Sequence, residues 1–288
     1  MNGYEMRIGS LFSGIGGFDL AMEAAGHEII WQIENDPFCR KVLRHHWPDV
    51  NLKGDIRERD FTRAPQIDGI IGGFPCQPFS VAGKMKNTDD PRNMWPETIR
   101  AIKETNARFA FLENVPGLLY PRSEGYFLRI LEDLAEAGFD AEWGTYRASD
   151  IGAPHRRERL FILAYRDAGL DFIPNEEVRA RWFALDYEGR DVAHTDLQLS
   201  DVQQWAAWTK PNRGFNSFPP APDDLEGWAY VLSKMSSLEP ALCRVDDGVP
   251  DRTHRLKALG NAIVWPQALY ALMDLSKRVA LNLTACYT

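Results

Sequence analysis

The first half of the chain alternates short apolar runs with amphipathic stretches. Arg7 to Phe12 reads as a strand, followed by a glycine-rich turn and a helix from about Gly17 to Ala25. Glu28 to Glu34 predicts a second strand and Pro37 to His46 a helix. Ile67 to Gly72 predicts a third strand, Met94 to Thr105 a helix, Phe109 to Leu112 a strand and Tyr126 to Ala137 a helix. Phe139 to Ala148 and Leu160 to Ala164 read as paired strands. Strands alternating with helices indicate βαβ units and a mostly parallel sheet, whose ligands bind beyond the carboxyl ends of the strands. From about Ala168 the pattern fails. Residues 168–250 are rich in proline, tryptophan and acidic side chains, with Pro219, Pro220 and Pro222 marking a loop. Trp182, Trp205, Trp208 and Trp228 are candidates for the core of a small irregular region. Regularity returns at Leu256, and Ala262 to Leu281 reads as a helix with Pro266 in its first turn. The boundaries expected are therefore 1–167, 168–250 and 251–288, the last returning to the first.

Composition narrows the class. The 288 residues are 44% hydrophobic and 26% charged, ordinary for a globular chain and enough for one large α/β domain with a small insertion. No apolar run approaches the roughly 20 residues of a membrane span. The Met1 to Arg7 segment is polar and lacks an apolar signal core, so the expected location is the cytoplasm. Cys39, Cys76, Cys243 and Cys286 are widely spaced with no C-x-x-C pair, which fits reduced thiols better than a disulfide framework or a zinc site. Net charge is −8. A polyanion partner must then meet a local cleft rather than a basic face. Two basic clusters are available, Arg156, Arg157 and Arg159, and Lys84, Lys86 and Arg92.

Four strand-end segments carry the candidate chemistry. Leu11-Phe12-Ser13-Gly14-Ile15-Gly16-Gly17 joins a strand to a helix, where backbone can approach a ligand closely. A tight ligand-free turn explains it equally well alone. Glu34, about 20 residues on, suits a ribose diol, and Asp55 adds a further acidic position, which favours a nucleoside cofactor. The G-x-G-G spacing differs from the dinucleotide G-x-G-x-x-G and counts against NAD. Gly72-Gly73-Phe74-Pro75-Cys76-Gln77-Pro78-Phe79-Ser80 forms a rigid turn placing Cys76 where a nucleophile sits. Most lone cysteines are small core residues, but the flanking prolines disfavour burial in a regular element. Glu113, after the apolar Ala110-Phe111-Leu112, is a strand-end carboxylate; at the same sheet edge it becomes an acid or base. In His155-Arg156-Arg157-Glu158-Arg159, extended backbone puts Arg157 and Arg159 on one face. A solvated charge run is the default reading of that stretch.

Together these segments resemble the C5-cytosine DNA methyltransferase family. Phe12 to Gly17 resembles its first motif, Glu34 its second, Asp55-Ile56 its third, Pro75-Cys76-Gln77 its nucleophile motif and Glu113-Asn114-Val115 its E-N-V motif. Arg157 and Arg159 fall on its R-x-R motif and Gly260-Asn261-Ala262 on its closing motif, all in family order. The resemblance implies a Rossmann-like S-adenosylmethionine-dependent sheet with helices on both faces, plus a small target-recognition region at 168–250. It implies methyl transfer to C5 of a cytosine flipped out of duplex DNA, with Cys76 as nucleophile and Glu113, Arg157 and Arg159 as the other catalytic residues. S-adenosyl-L-methionine is the implied cofactor, with Leu11, Phe12, Gly14, Gly16, Gly17, Glu34, Asp55, Ile56, Pro75, Asn261 and Ala262 around it. Gln77, Ser80, Asn114 and Val115 are the implied substrate contacts, and no metal is implied. The implied partner is double-stranded DNA, with a cognate restriction endonuclease where the gene sits in a restriction-modification system, and the chain is expected to act as a monomer. His155 stands where the family has Gln, and Cys243 to Gly248 fills the place of its ninth motif. The compact, acidic 168–250 region resembles phage and prophage members. Alternatives are the same chemistry on tRNA, whose Cys-Phe-Thr tripeptide is absent here, a catalytically dead DNA- or cofactor-binding regulator, and a NAD-linked oxidoreductase.

Overall fold

A computed structural model describes residues 5–75, 93–120, 123, 125–153, 155–166 and 252–286, with side chains in the last segment from 257 to 281. Among the described residues, seven strands form one sheet: β1 (Arg7–Leu11), β2 (Glu28–Ile33), β3 (Asn51–Lys53), β4 (Gly69–Gly73), β5 (Phe109–Asn114), β6 (Asp140–Arg147) and β7 (Glu158–Tyr165). Six helices accompany them: α1 (Gly17–Ala24), α2 (Pro37–His46), α3 (Trp95–Thr105), α4 (Tyr126–Glu136), α5 (Arg252–Asn261) and α6 (Trp265–Cys286).

The strand order is β3-β2-β1-β4-β5-β7-β6. β1, β2, β3, β4 and β5 pair in parallel, whereas β7 runs antiparallel to β5. The chain winds outward from β1 through β2 and β3, then returns to place β4 on β1's other side. The strands joined to β1 and β4 therefore lie on opposite sides of that pair, a switch point of the kind at which such sheets bind ligands.

Local sequence accounts for the elements. Asp36 caps α2 by accepting from the backbone N–H groups of Phe38 (2.9 Å) and Cys39 (3.2 Å), with Pro37 in the first turn. Arg44, His45 and His46 occupy the last turn, favourable for the helix dipole. Asn106 ends α3 in the left-handed conformation (φ 51°), which Asn tolerates better than most residues.

Period-2 alternation divides the buried strand residues between two faces. Ala110, Leu112, Leu160, Ile162 and Ala164 join Ile102 of α3 and Ile130 and Leu134 of α4 in one core. On the other face Phe18 of α1 meets Phe111 edge-on at 5.1 Å, Phe111 stacks on Phe161 at 5.5 Å, and Phe161 meets Tyr146 at 5.9 Å.

Two of the observed elements were not expected from the pattern. β3 is three residues long, and α5 precedes a break at Ala262–Val264, so α6 starts at Trp265 rather than Ala262. Two compact units result. One runs to Tyr146, resumes at Glu158 and takes in the chain from Ala262; the other contains Arg147–Arg157 and α5. Residues 168–250, the expected recognition region, lie outside the described residues, as do Cys76, Gln77, Ser80 and the Lys84, Lys86 and Arg92 cluster.

α6 is tied to the sheet by polar contacts as well as packing. The Tyr146 hydroxyl donates to Asp274 at 2.7 Å, and Arg278 reaches both that hydroxyl (3.0 Å) and the Asp274 carboxylate. Gln267 donates to the Tyr146 carbonyl at 2.8 Å. Burial and the neighbouring Asp274 carboxylate raise the Tyr146 pKa, so its hydroxyl keeps its proton. Tyr146→Phe should cost about 1 kcal/mol, one net hydrogen bond, because Asp274 retains Arg278. Urea denaturation should show a lowered midpoint with an unchanged slope.

Candidate active site

Four strand ends lie side by side at the carboxyl edge in the order β2, β1, β4, β5. Leu11 closes β1 and is buried. Phe12 follows with φ 52°, a left-handed conformation that costs a bulky residue free energy and that surrounding structure must impose. The turn is pinned by Ser13 N–H donating to Ile33 O (3.1 Å) and Gly16 N–H to Ser13 O (2.9 Å). Gly16 has φ 90°, and a Cβ there would lie 2.2 Å from the Trp47 ring. Only glycine meets both demands. Trp47 is itself held by its indole N–H, which donates to Glu23 at 2.6 Å.

Glu34 lies just beyond β2 and is 9% exposed. Its carboxylate accepts from the backbone N–H of Gly14 at 2.8 Å and of Asp36 at 2.7 Å. The carboxylate thus bridges the glycine turn and the start of α2 before any ligand arrives. Asp55 caps the turn at Ile56–Glu58 and pairs with Arg57, whose hydrogen bond holds the Asp55 carboxyl below the usual carboxylate range. Ile56 is buried, and its carbonyl accepts from Arg100 of α3 at 2.8 Å.

Pro75 follows β4, and its carbonyl accepts from the Met94 N–H at 3.3 Å. The Phe74 carbonyl accepts from the Asn114 side-chain amide at 3.1 Å, while Asn114 Oδ1 accepts from the Val115 N–H at 2.8 Å. Asn114, buried at the end of β5, therefore lashes the segment entering Cys76 to its neighbouring strand.

Glu113 pairs in register with Gly73, and a Cβ on Gly73 would come within 3.0 Å of Glu113 Oε2. Its Oε1 meets Arg159 Nε at 2.8 Å, with side chains 13% and 22% exposed respectively. The antiparallel course of β7 explains the meeting. Running opposite to β5, β7 begins at the edge where β5 ends, so Arg159 arrives beside Glu113. The guanidinium beside this shielded carboxyl group holds it in a fixed orientation. Arg157 does not share this strand: β7 starts at Glu158, and the Arg157 guanidinium donates to the Gly260 carbonyl at 2.8 Å. Asn261 closes α5 and Ala262 follows it.

The structure thus brings together Leu11, Phe12, Gly14, Gly16, Gly17, Glu34, Asp55, Ile56, Pro75, Glu113, Asn114, Val115 and Arg159 at or beside one sheet edge. A profile of the C-5 cytosine-specific DNA methylase family matches residues 6–201, more than half of the chain. The chain belongs to that family. Among its relatives, the type II methyltransferase M.NgoMIV of Neisseria gonorrhoeae is 38% identical over 170 residues, covering 57% of this chain and 54% of its own length. The type II methyltransferase M.HgiBI of Herpetosiphon aurantiacus is 32% identical over 225 residues, 75% of this chain and 51% of its own length. The chain therefore spans about half the length of these curated relatives. A solved putative DNA modification methyltransferase from an Escherichia coli prophage is 29% identical, with a TM-score of 0.49 over 56% of this chain and 47% of its own.

Within this methylase framework, several positions that pattern reading passed over shape the site. Ile263 is one: a Cβ on Gly17 would lie 2.3 Å from the Ile263 carbonyl oxygen, and Ile263 Cδ1 would stand 3.4 Å from a Cβ on Gly73. Its place directly after Gly260-Asn261-Ala262 was the available signal. Trp47 and Arg100 carried none, because each acts on backbone far away in sequence. Gly17→Ala should cost about 1–3 kcal/mol, since the opposing atom is backbone that cannot rotate away. A urea midpoint unchanged from wild type would show that residues 262–264 do not lie against the turn.

Proposed function

We propose that the chain is a DNA (cytosine-5-)-methyltransferase that transfers a methyl group from S-adenosyl-L-methionine to a flipped-out cytosine through a covalent adduct at Cys76. The observation that carries the reading is the Glu113–Arg159 pair at 2.8 Å, beside the Pro75 entry to Cys76 and two strands from the glycine turn. The domain assignment is 1–167 for catalysis and cofactor binding, 168–250 for target recognition and 251–288 for the return to the catalytic part.

The residues fit the cofactor. Gly14, Gly16 and Gly17 leave the turn without side-chain bulk, and Glu34 presents a carboxylate that the Gly14 and Asp36 N–H groups already orient. Glu34 would hold the ribose hydroxyls, Asp55 and Ile56 the adenine, and Leu11, Phe12, Pro75, Asn261 and Ala262 the remaining walls. The cofactor's sulfonium supplies an electrophilic methyl group.

The chain's own residues supply the rest. The Cys76 thiolate adds to C6 of cytosine, and the C5–C6 electron pair shifts to make C5 nucleophilic. Glu113, oriented by Arg159, donates its proton to N3 as that charge develops and accepts from the exocyclic amine. Once C5 is methylated, a base removes the C5 proton, the Cys76–C6 bond breaks with Cys76 leaving as thiolate, and N3 returns its proton to Glu113, restoring the aromatic ring. Arg157 steadies the extruded base. Gln77, Ser80 and Val115 contact the substrate, and Asn114 acts through the Phe74 carbonyl to set the approach of Cys76. Flipping is required because C6 is unreachable within the stack. The remaining proposals are a duplex DNA partner, a monomeric enzyme, a cytoplasmic location and a cognate endonuclease. Among the described residues no helix is long and apolar enough to cross a membrane.

Two experiments test the halves of this reading. Glu34→Gln keeps the shape but removes the charge, and should weaken S-adenosylmethionine binding by about 1.5–3 kcal/mol, the worth of a charge-assisted bond. Glu34→Ala should in addition lower stability, because two backbone N–H groups lose their acceptor. Calorimetric titration giving wild-type affinity for both variants would remove Glu34 from the cofactor site. For the nucleophile, duplex DNA carrying 5-fluorocytosine at a methylated site should give a denaturant-stable, cofactor-dependent complex, since fluorine cannot leave as a proton. Cys76→Ser should abolish the complex on denaturing gels. No adduct on DNA that the wild type demonstrably methylates would refute the covalent route.

A further inference from the structure

Directly beneath the glycine turn lies a polar cluster that the proposed chemistry does not use. Asp19 of α1, Ser10 of β1 and Gln32 of β2 are each fully buried, and Ser13 of the turn is nearly so. Asp19 Oδ1 accepts from the Gln32 amide at 2.8 Å and Oδ2 from the Ser10 hydroxyl at 3.1 Å. The Ser10 and Ser13 hydroxyls lie 2.8 Å apart. Ser10 has one proton and gives it to Asp19, so in the 2.8 Å contact Ser13 is the donor, with the Ser10 carbonyl at 3.3 Å as its second acceptor. An ionised Asp19 therefore imposes one direction on the chain from Ser13 through Ser10 to the carboxylate. It also joins the ends of β1 and β2 to the first turn of α1, the three elements between which residues 12–17 are strung.

We propose that Asp19 is a positioning residue for the cofactor: in its ionised form it sets the hydroxyl order at Ser10 and Ser13 and with it the shape of the turn that receives the adenosyl ligand. The proposal rests on the S-adenosylmethionine reading above. A carboxylate in an apolar core is costly, and a helix packed only for stability would carry an apolar residue at this position. Burial raises the Asp19 carboxyl to about 6, with the Gln32 and Ser10 hydrogen bonds opposing that rise. The charged group acting on it is Glu23, one turn further along α1. From β1 and β2 it faces only the uncharged Ser10 and Gln32. On α6, which packs against α1, Asp274 and Arg278 are engaged with each other and Tyr146. His27, beyond the end of α1, accepts from the Met6 N–H.

The sign follows from the raised pKa. Folding favours the protonated carboxyl, so Asp19 contributes more stability below about pH 6 and less above it. Positioning requires the opposite state. Once protonated, Oδ2 donates to Ser10, the hydroxyl chain reverses and the turn loses its imposed order. Affinity and stability should then move in opposite directions with pH, which a purely structural role does not produce.

The test uses the full chain and S-adenosylhomocysteine as probe, titrated calorimetrically at pH 8 and pH 5, with thermal melting of the unliganded protein alongside. With only the ionised fraction competent, wild-type affinity should fall about tenfold at pH 5. Asp19→Asn, whose amide donates to Ser10 as the protonated acid does, should bind more than tenfold more weakly than wild type at pH 8, with a gap about tenfold narrower at pH 5. It should melt no lower than wild type at pH 8. Ser10→Ala, which breaks the chain without touching Asp19, should also weaken binding at pH 8. Wild-type affinity in Asp19→Asn at pH 8 overturns the proposal, as does weakened binding by the same factor at both pH values together with a lowered melting temperature. If the wild type itself binds no S-adenosylhomocysteine at pH 8, the cofactor reading fails, and the role of Asp19 falls with it.

Discussion

A parallel sheet that winds outward from β1, then returns to add β4 on the other side, leaves the loops after those two strands pulled in opposite directions. The switch point at their carboxyl ends is a consequence of connectivity rather than of any single side chain. Among the described residues, the candidate groups at that edge are placed there by strand ends. The glycine turn leaves β1, Glu34 leaves β2, the Pro75 segment leaves β4 and Glu113 with Asn114 closes β5. The reversed course of β7 is what allows a cation to join them. A parallel strand in its place would start at the opposite edge and could not set Arg159 against Glu113.

This edge is kept in shape largely by backbone. Glu34 spans two backbone N–H groups, Asn114 grips the Phe74 carbonyl, Arg100 grips the Ile56 carbonyl and Ile263 presses its own carbonyl on Gly17. Side chains aimed at backbone fix geometry more strictly than side chains aimed at one another, because the backbone is already ordered by the sheet. This also reconciles the site with a chain of net charge −8. The site depends on a few oriented groups at one edge rather than on a basic surface.

Much of this was legible beforehand because the signals were local. β1, β2, β4 and β5 are apolar runs between turn residues, and α2 announces itself through Asp36 and Pro37. The motif residues fall at strand ends, so their convergence followed once the sheet was parallel. β3 was not legible because Asn51-Leu52-Lys53 is too short for any periodicity. α5 opens on the polar Arg252-Thr253-His254-Arg255 and carries Gly260 before its end, so nothing in the pattern marked it as a separate helix. The pairing of Arg157 and Arg159 on one strand face was expected from extended backbone, but the strand begins one residue too late. Asp19 was hidden for a different reason. A carboxylate in the first turn of a helix is normally an exposed partner of the helix dipole, and only the third dimension shows it facing Ser10 and Gln32.

The proposed activity at this edge is methylation of cytosine at C5 within a defined duplex sequence. Bisulfite sequencing of DNA from cells expressing the chain tests it most directly. The account predicts protected cytosines at one position of a recurring short sequence, absent from cells without the protein. Uniformly converted DNA from cells that contain the folded, cofactor-binding protein would contradict it.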